Sequence, residues 1–125
     1  MAVELFVIQS LTTNTANELK TDQRRLVATL ANAVVGVAAQ TAVTLSGIKD
    51  AALSVEGTAT ALAVTIEGSV DGTNYYPLEV VKRGSLDILT SMTAKGVYVV
   101  DLSGLTKVRA NVTNVAGGNV TVLAK

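Results

Sequence analysis

From about residue 41 onward, apolar and polar positions alternate with a period of two, in short runs set apart by turn residues. Residues 62–67 place Leu62, Val64 and Ile66 on one side and Ala63, Thr65 and Glu67 on the other. Residues 51–56 repeat the pattern, with Ala51, Leu53 and Val55 set against Ala52, Ser54 and Glu56. Successive side chains of a strand point to opposite faces, so this is the signature of a half-buried strand. The same reading predicts strands over 42–45, 75–81, 84–90, 97–102, 105–114 and 118–124. Gly84, Gly96, Gly104 and the pair Gly117-Gly118 punctuate them. Gly68 to Asn74 reads as a hairpin turn centred on Asp71-Gly72, a dipeptide that tolerates positive φ. Pro77 has no amide hydrogen to give to a ladder and places its strand at an edge or a bulge. Short strands at this spacing predict an all-β fold, an antiparallel sandwich or jelly roll.

The first 40 residues follow other patterns. Over residues 3–8 both faces are apolar, Val3, Leu5 and Val7 on one side and Phe6 and Ile8 on the other. Such a strand is buried on both sides or is an arm covered by a neighbour. Thr15 to Glu18 matches a capping box, and Leu19, Gln23, Leu26, Val27 and Leu30 follow at helical spacing. A short helix over 16–31 is expected, although Leu26 to Leu30 also fits a strand. No charge falls between Arg25 and Lys49. A run of that length can span a bilayer. Thr29, Asn32, Gln40, Thr41, Thr44 and Ser46 weigh against insertion and favour a buried or subunit-facing segment. The expected division is an N-terminal arm over 1–40, used for oligomerisation or anchoring, and a β domain over 41–125.

Composition narrows the chemistry. The chain has no Cys and no His, which removes Cys/His zinc sites, Cys nucleophiles and Ser-His-Asp triads. Only Phe6, Tyr75, Tyr76 and Tyr98 are aromatic, so the core is aliphatic. Ten basic residues balance ten acidic ones, which argues against a nucleic-acid partner. The N-terminus lacks the basic region of a secretory signal. Glu67, Asp71, Glu79, Asp87 and Asp101 fall on outward strand positions or in turns, where they read as solvated rather than catalytic acids. Asp71, Thr73 and Asn74 carry oxygens that suit calcium, but the spacing lacks the distal Glu of a calcium loop and reads as an Asx turn. Tyr75 and Tyr76 are adjacent and point to opposite faces, which leaves at most one of them for a sugar platform. No cofactor and no enzymatic activity are expected.

Two segments carry a family resemblance. Val64 to Leu78, with Glu67-Gly68-Ser69, Asp71-Gly72-Thr73-Asn74-Tyr75-Tyr76 and Pro77-Leu78, resembles a signature of small structural proteins of tailed bacteriophages. Gly96 to Arg109 resembles a second segment of those proteins, and Ala116 to Val122 resembles their closing strand. Gly68, Asp71, Gly72, Asn74, Tyr75, Tyr76, Pro77 and Gly104 are the matching positions, and each reads as fold-making. The resemblance covers about residues 41–124 and implies a β-sandwich virion protein. A head decoration (cement) protein is the first expectation. Its partner would be the major capsid protein, and it would form a homo-oligomer, a trimer by preference, on the outer capsid surface after assembly in the bacterial cytoplasm. A neck or tail accessory protein and a glycan-binding adhesin are the alternatives. In this reading Val3, Leu5, Phe6, Val7, Leu26, Leu30, Val34 and Val35 contact the partner. A chain without residues 1–40 would then stay a soluble β domain and lose capsid binding.

Overall fold

The computed structural model describes residues 26–125, which form eleven β-strands and no helix. In chain order these are β1 (Ala28–Val34), β2 (Ala38–Ala39), β3 (Val43–Thr44), β4 (Asp50–Glu56), β5 (Ala61–Ser69), β6 (Tyr76–Pro77), β7 (Val80–Lys82), β8 (Ile88–Leu89), β9 (Gly96–Asp101), β10 (Lys107–Ala116) and β11 (Val120–Ala124). One sheet, here called sheet A, has the order β1-β11-β4-β9-β7-β8. The facing sheet B has the order β2-β10-β5-β6, with β3 also paired to β10. Every pairing is antiparallel.

The two sheets form a jelly roll. With β2 and β3 taken as one interrupted strand and the β7–β8 hairpin set aside, the pairs are β1 with β11, β2/β3 with β10, β4 with β9, and β5 with β6. The first strand thus pairs with the last and the middle strands with each other, as when one long hairpin is wound around a barrel. The predicted all-β sandwich is what the chain forms.

The core lies between the sheets and is aliphatic, built largely on Leu53, Val64, Ile66, Val80, Val100, Val108, Val112 and Val120. Among the described residues its one aromatic is Tyr98, 1% exposed, whose hydroxyl donates to the Ala94 carbonyl at 2.7 Å. Burial pushes this phenol's pKa up. Met92 is fully buried and bonds reciprocally with Val64 through the backbone, which closes part of the β5 edge that β6 leaves open.

Three expectations need correction. The helix expected over 16–31 gives way, in its described part, to strand β1, and residues 16–25 lie outside the described residues. Leu26 and Leu30 are four apart, a spacing that serves one helix face and one strand face equally well. Pairing with β11, from Ala28 opposite Ala124 to Val34 opposite Val120, settles it as a strand. The boundary near residue 40 also moves. β1, β2, Leu26, Leu30 and Ala31 belong to the sheets and core, so residues 26–40 are part of the sandwich. Finally, the single strand expected over 75–81 is two, because the chain crosses from sheet B to sheet A between Pro77 and Val80.

Among the described residues no helix is long and apolar enough to cross a membrane. The uncharged run 26–48 supplies β1, β2 and β3 instead.

Candidate interaction face

The Gly68–Pro77 motif builds a closed turn. The Asp71 carboxylate accepts from the Thr73 and Asn74 amides, both at 2.8 Å, from Asn74 Nδ2 at 2.7 Å and from Ser69 Oγ at 2.9 Å. The Gly72 amide goes to the buried Ser69 hydroxyl at 2.8 Å. Gly72 and Gly104 hold the positive φ their turns require. Gly68 is needed for a different reason: a Cβ there would lie 2.6 Å from a Leu105 methyl and 3.0 Å from one of Leu78, so its bare backbone is the floor on which both leucines pack. Both Asp71 oxygens are used within the turn, and among the described residues no group of three or more His, Cys, Asp or Glu is placed to hold a metal.

The amides of Asn74 and Thr73 hold the Asp71 carboxyl well below the usual carboxylate range. A depressed folded pKa contributes stability that is present above the unfolded value, about 3.9, and is lost as pH falls through the folded one. The Asp71→Asn variant is therefore expected to melt below the wild type at neutral pH. The gap should narrow as pH falls below about 4, which thermal melts across an acid series would read.

Of the expected partner-contacting residues, Val3, Leu5, Phe6 and Val7 lie outside the described residues. Leu26, just before β1, and Leu30, within it, are corrected to core positions, because both are buried in the core between the sheets. Val34 is half-buried against the same core. Only Val35, 74% exposed beside Val37, stands free in the link from β1 to β2.

The outward faces of the two sheets differ. On sheet B the outward residues are polar and tied together. Arg109 Nε meets Glu67 Oε1 at 2.8 Å, Asn111 Nδ2 donates to Glu67 Oε2 at 3.1 Å, and the Arg109 guanidinium lies 4.0 Å above the Tyr75 ring. Tyr75 is therefore covered on that side, while Tyr76 stands exposed on the edge strand that also holds Pro77.

On sheet A the two middle rows of outward residues are mostly apolar. Register places Ile88, Val81, Val99 and Ala52 side by side across β8, β7, β9 and β4. The next row holds Arg83, Val97, Ser54 and Leu123, joined by the Arg83 amide to the Val97 carbonyl at 2.9 Å and by the β9–β4–β11 pairing. Beyond the first row, Asp50 and Asp101 face each other directly, and continuation of the β7–β9 register adds Glu79. Val81, Val99 and Ile88 floor a shallow groove there, walled by Glu79, Asp101 and Lys49. The Ser103 amide holds the Asp101 carboxyl low. A contiguous apolar patch on an outer sheet face marks an interaction surface, whereas scattered apolar residues do not. These residues were missed in the sequence. The signal was the doubled apolar pairs Val80-Val81, Ile88-Leu89 and Val99-Val100, which give a strand two apolar faces where alternation would give one.

Comparison with known proteins agrees with this architecture. The XepA family model matches residues 24–125. The crystal structure of the SPBc2 prophage-derived protein YomS superposes with a TM-score of 0.74 at 15% identity, over 87% of this chain and 100% of that one. The crystal structure of the PBSX exported protein XepA gives a TM-score of 0.79 at 18% identity, over 99% of this chain and 47% of that one. This chain thus spans about half the length of that XepA protein. Likeness at such identities establishes the fold. No curated protein matches the sequence.

Proposed function

Because this chain belongs to the XepA family, whose model spans its whole described body, we propose that it is a structural protein of a tailed-phage particle. Our first reading is a head decoration protein that sits on the outer capsid surface and bridges subunits of the major capsid protein. The family match carries the reading, and the prophage origin of YomS supports it. So does the build of the molecule, an aliphatic slab with one polar and one apolar outer face. Such a protein works by adhesion, not by turnover. Stable contacts bury about 800 Å² per partner, and many copies on one particle multiply a modest affinity.

The neighbour described as an exported protein favours a second reading, in which the chain acts free of the particle. Fractionation of a lysate on a density gradient separates the readings. Decoration predicts that the chain bands with heads at a copy number on the scale of the capsomers. A single ring's worth would move the assignment to the neck or tail. Recovery only in the soluble fraction would overturn the particle reading altogether.

A further inference from the structure

We infer that Asp71-Gly72 is a latent backbone-isomerisation site, and that the Ser69 hydroxyl, bonded to both reacting groups, keeps it closed while the chain is folded. The inference rests on the turn alone and holds wherever in a particle the protein acts.

An aspartate followed by glycine carries its own electrophile and nucleophile. The glycine nitrogen attacks the side-chain carboxyl carbon. A C–N bond forms, the carboxyl C–OH bond breaks, and the hydroxyl leaves with the amide hydrogen as water. A second water then opens the cyclic imide. Opening at the original backbone carbonyl leaves the main chain running through the side chain, one methylene longer. Opening at the other carbonyl restores aspartate. Glycine favours the first step because no Cβ hinders the approach of its nitrogen. Asp71-Gly72 is the one Asp-Gly pair in the chain, which has no Asn-Gly pair.

Asp71 is exposed, so solvent reaches it freely and only the hydrogen bonds of the turn stand in the way. The Gly72 amide donates to Ser69 Oγ at 2.8 Å, and the same Oγ donates to Asp71 Oδ1 at 2.9 Å. Oδ1 also accepts from the Thr73 and Asn74 amides, and Oδ2 accepts from Asn74 Nδ2. Attack requires the carboxyl to leave these donors for the Gly72 nitrogen, which breaks the set together. Ser69 is held against following that motion. It is fully buried, and its carbonyl accepts from the Thr106 amide at 2.8 Å. Thr106 Oγ1 donates to the Val70 carbonyl at 2.6 Å and pins the next residue of the turn. Isomerisation therefore waits on local opening.

The charge state acts in the same direction. A neutral carboxyl loses its hydroxyl as water, whereas a carboxylate would have to expel oxide. The Asn74 and Thr73 amides hold the Asp71 carboxyl well below the usual carboxylate range, so the reactive form is scarce even in mild acid.

The test is peptide mapping of the full chain for isoaspartate at Asp71. Samples are held well below the melting temperature at a pH of about 5, roughly one unit above the pKa of a free aspartate. Ser69→Ala removes both bridging bonds. A hydrogen bond to a charged group is strong enough to shift the population of the open turn about tenfold, so the folded variant should isomerise about tenfold faster than wild type. In denaturant the two chains should isomerise at the same rate. Thr106→Val removes a neutral bond to the same turn and leaves the serine bridge, so it should raise the rate by no more than about threefold. Ser69→Cys keeps the shape of this buried side chain with a much weaker donor and acceptor, and should show the same rise if Ser69→Ala does not fold. A folded Ser69 variant that isomerises no faster than wild type would overturn the inference. So would a Thr106→Val rate equal to that of Ser69→Ala, because any loosening of the turn would then suffice. Wild type that isomerises equally fast folded and in denaturant would show that the turn guards nothing.

Discussion

A chain that starts at residue 41 is expected to lose its cooperative fold, while one that starts at residue 26 is expected to keep it. The shorter chain lacks β1 and β2, and with them Leu26, Leu30 and Ala31 from the core and the half-buried Val34. A fully buried leucine contributes about 2–3 kcal/mol, so the four together approach 6–8 kcal/mol. A domain of this size has about 5–15 kcal/mol in all. The loss also bares the outer edge of β11, whose Val120, Thr121, Val122 and Leu123 form a regular strand without the irregularities that protect β1. Aggregation is the expected fate. Residues 26–125 retain every contact described above. Circular dichroism and thermal melts of the two purified chains decide the matter. A soluble 41–125 chain with a sharp melt would show that β1 is a dispensable appendage after all.

Much of the β body was readable because its strands alternate cleanly. β4, β5, β9, β10 and β11 fall where Leu53-Val55, Val64-Ile66, Tyr98-Val100, Val108-Ala110-Val112 and Val120-Val122 mark an inward face. What alternation cannot report is which sheet a strand joins. That is why 75–81 read as one strand although Tyr76 and Val80 lie in different sheets. It also cannot report partners far apart in sequence, and β1 is a strand only because residues 120–124 accept it. The aromatic roles followed the same rule. Tyr75 and Tyr76 drew attention as neighbours in a motif, yet Tyr98 fills the core, because its flanking Val97 and Val99 point outward. The interaction face was written in doubled valines, whose meaning depends on rows across four strands that no single segment contains.

Replacing Gly57 by alanine is expected to cost about 3 kcal/mol, more than any other single change at a turn discussed here. Gly57 follows β4 with φ of 126°, in a region that side chains rarely enter. A Cβ there would run into the carbonyl oxygen of Asn119. That oxygen is not free to move, because it accepts from the Thr58 amide at 3.0 Å and the Ala59 amide at 2.9 Å. These bonds tie the β4–β5 turn to the turn before β11, and so one end of sheet A to sheet B. The backbone strain costs about 1–3 kcal/mol, and each strained hydrogen bond adds about 1 kcal/mol. A melting temperature lower by about 12–20 °C should follow. Gly84→Ala is the control. Its φ of 93° imposes strain, but nothing lies within 4 Å of the new methyl group, so its loss should be less than half as large. Equal losses in the two variants would mean that backbone strain alone is at work, and that the Asn119 carbonyl does not pin the two turns together.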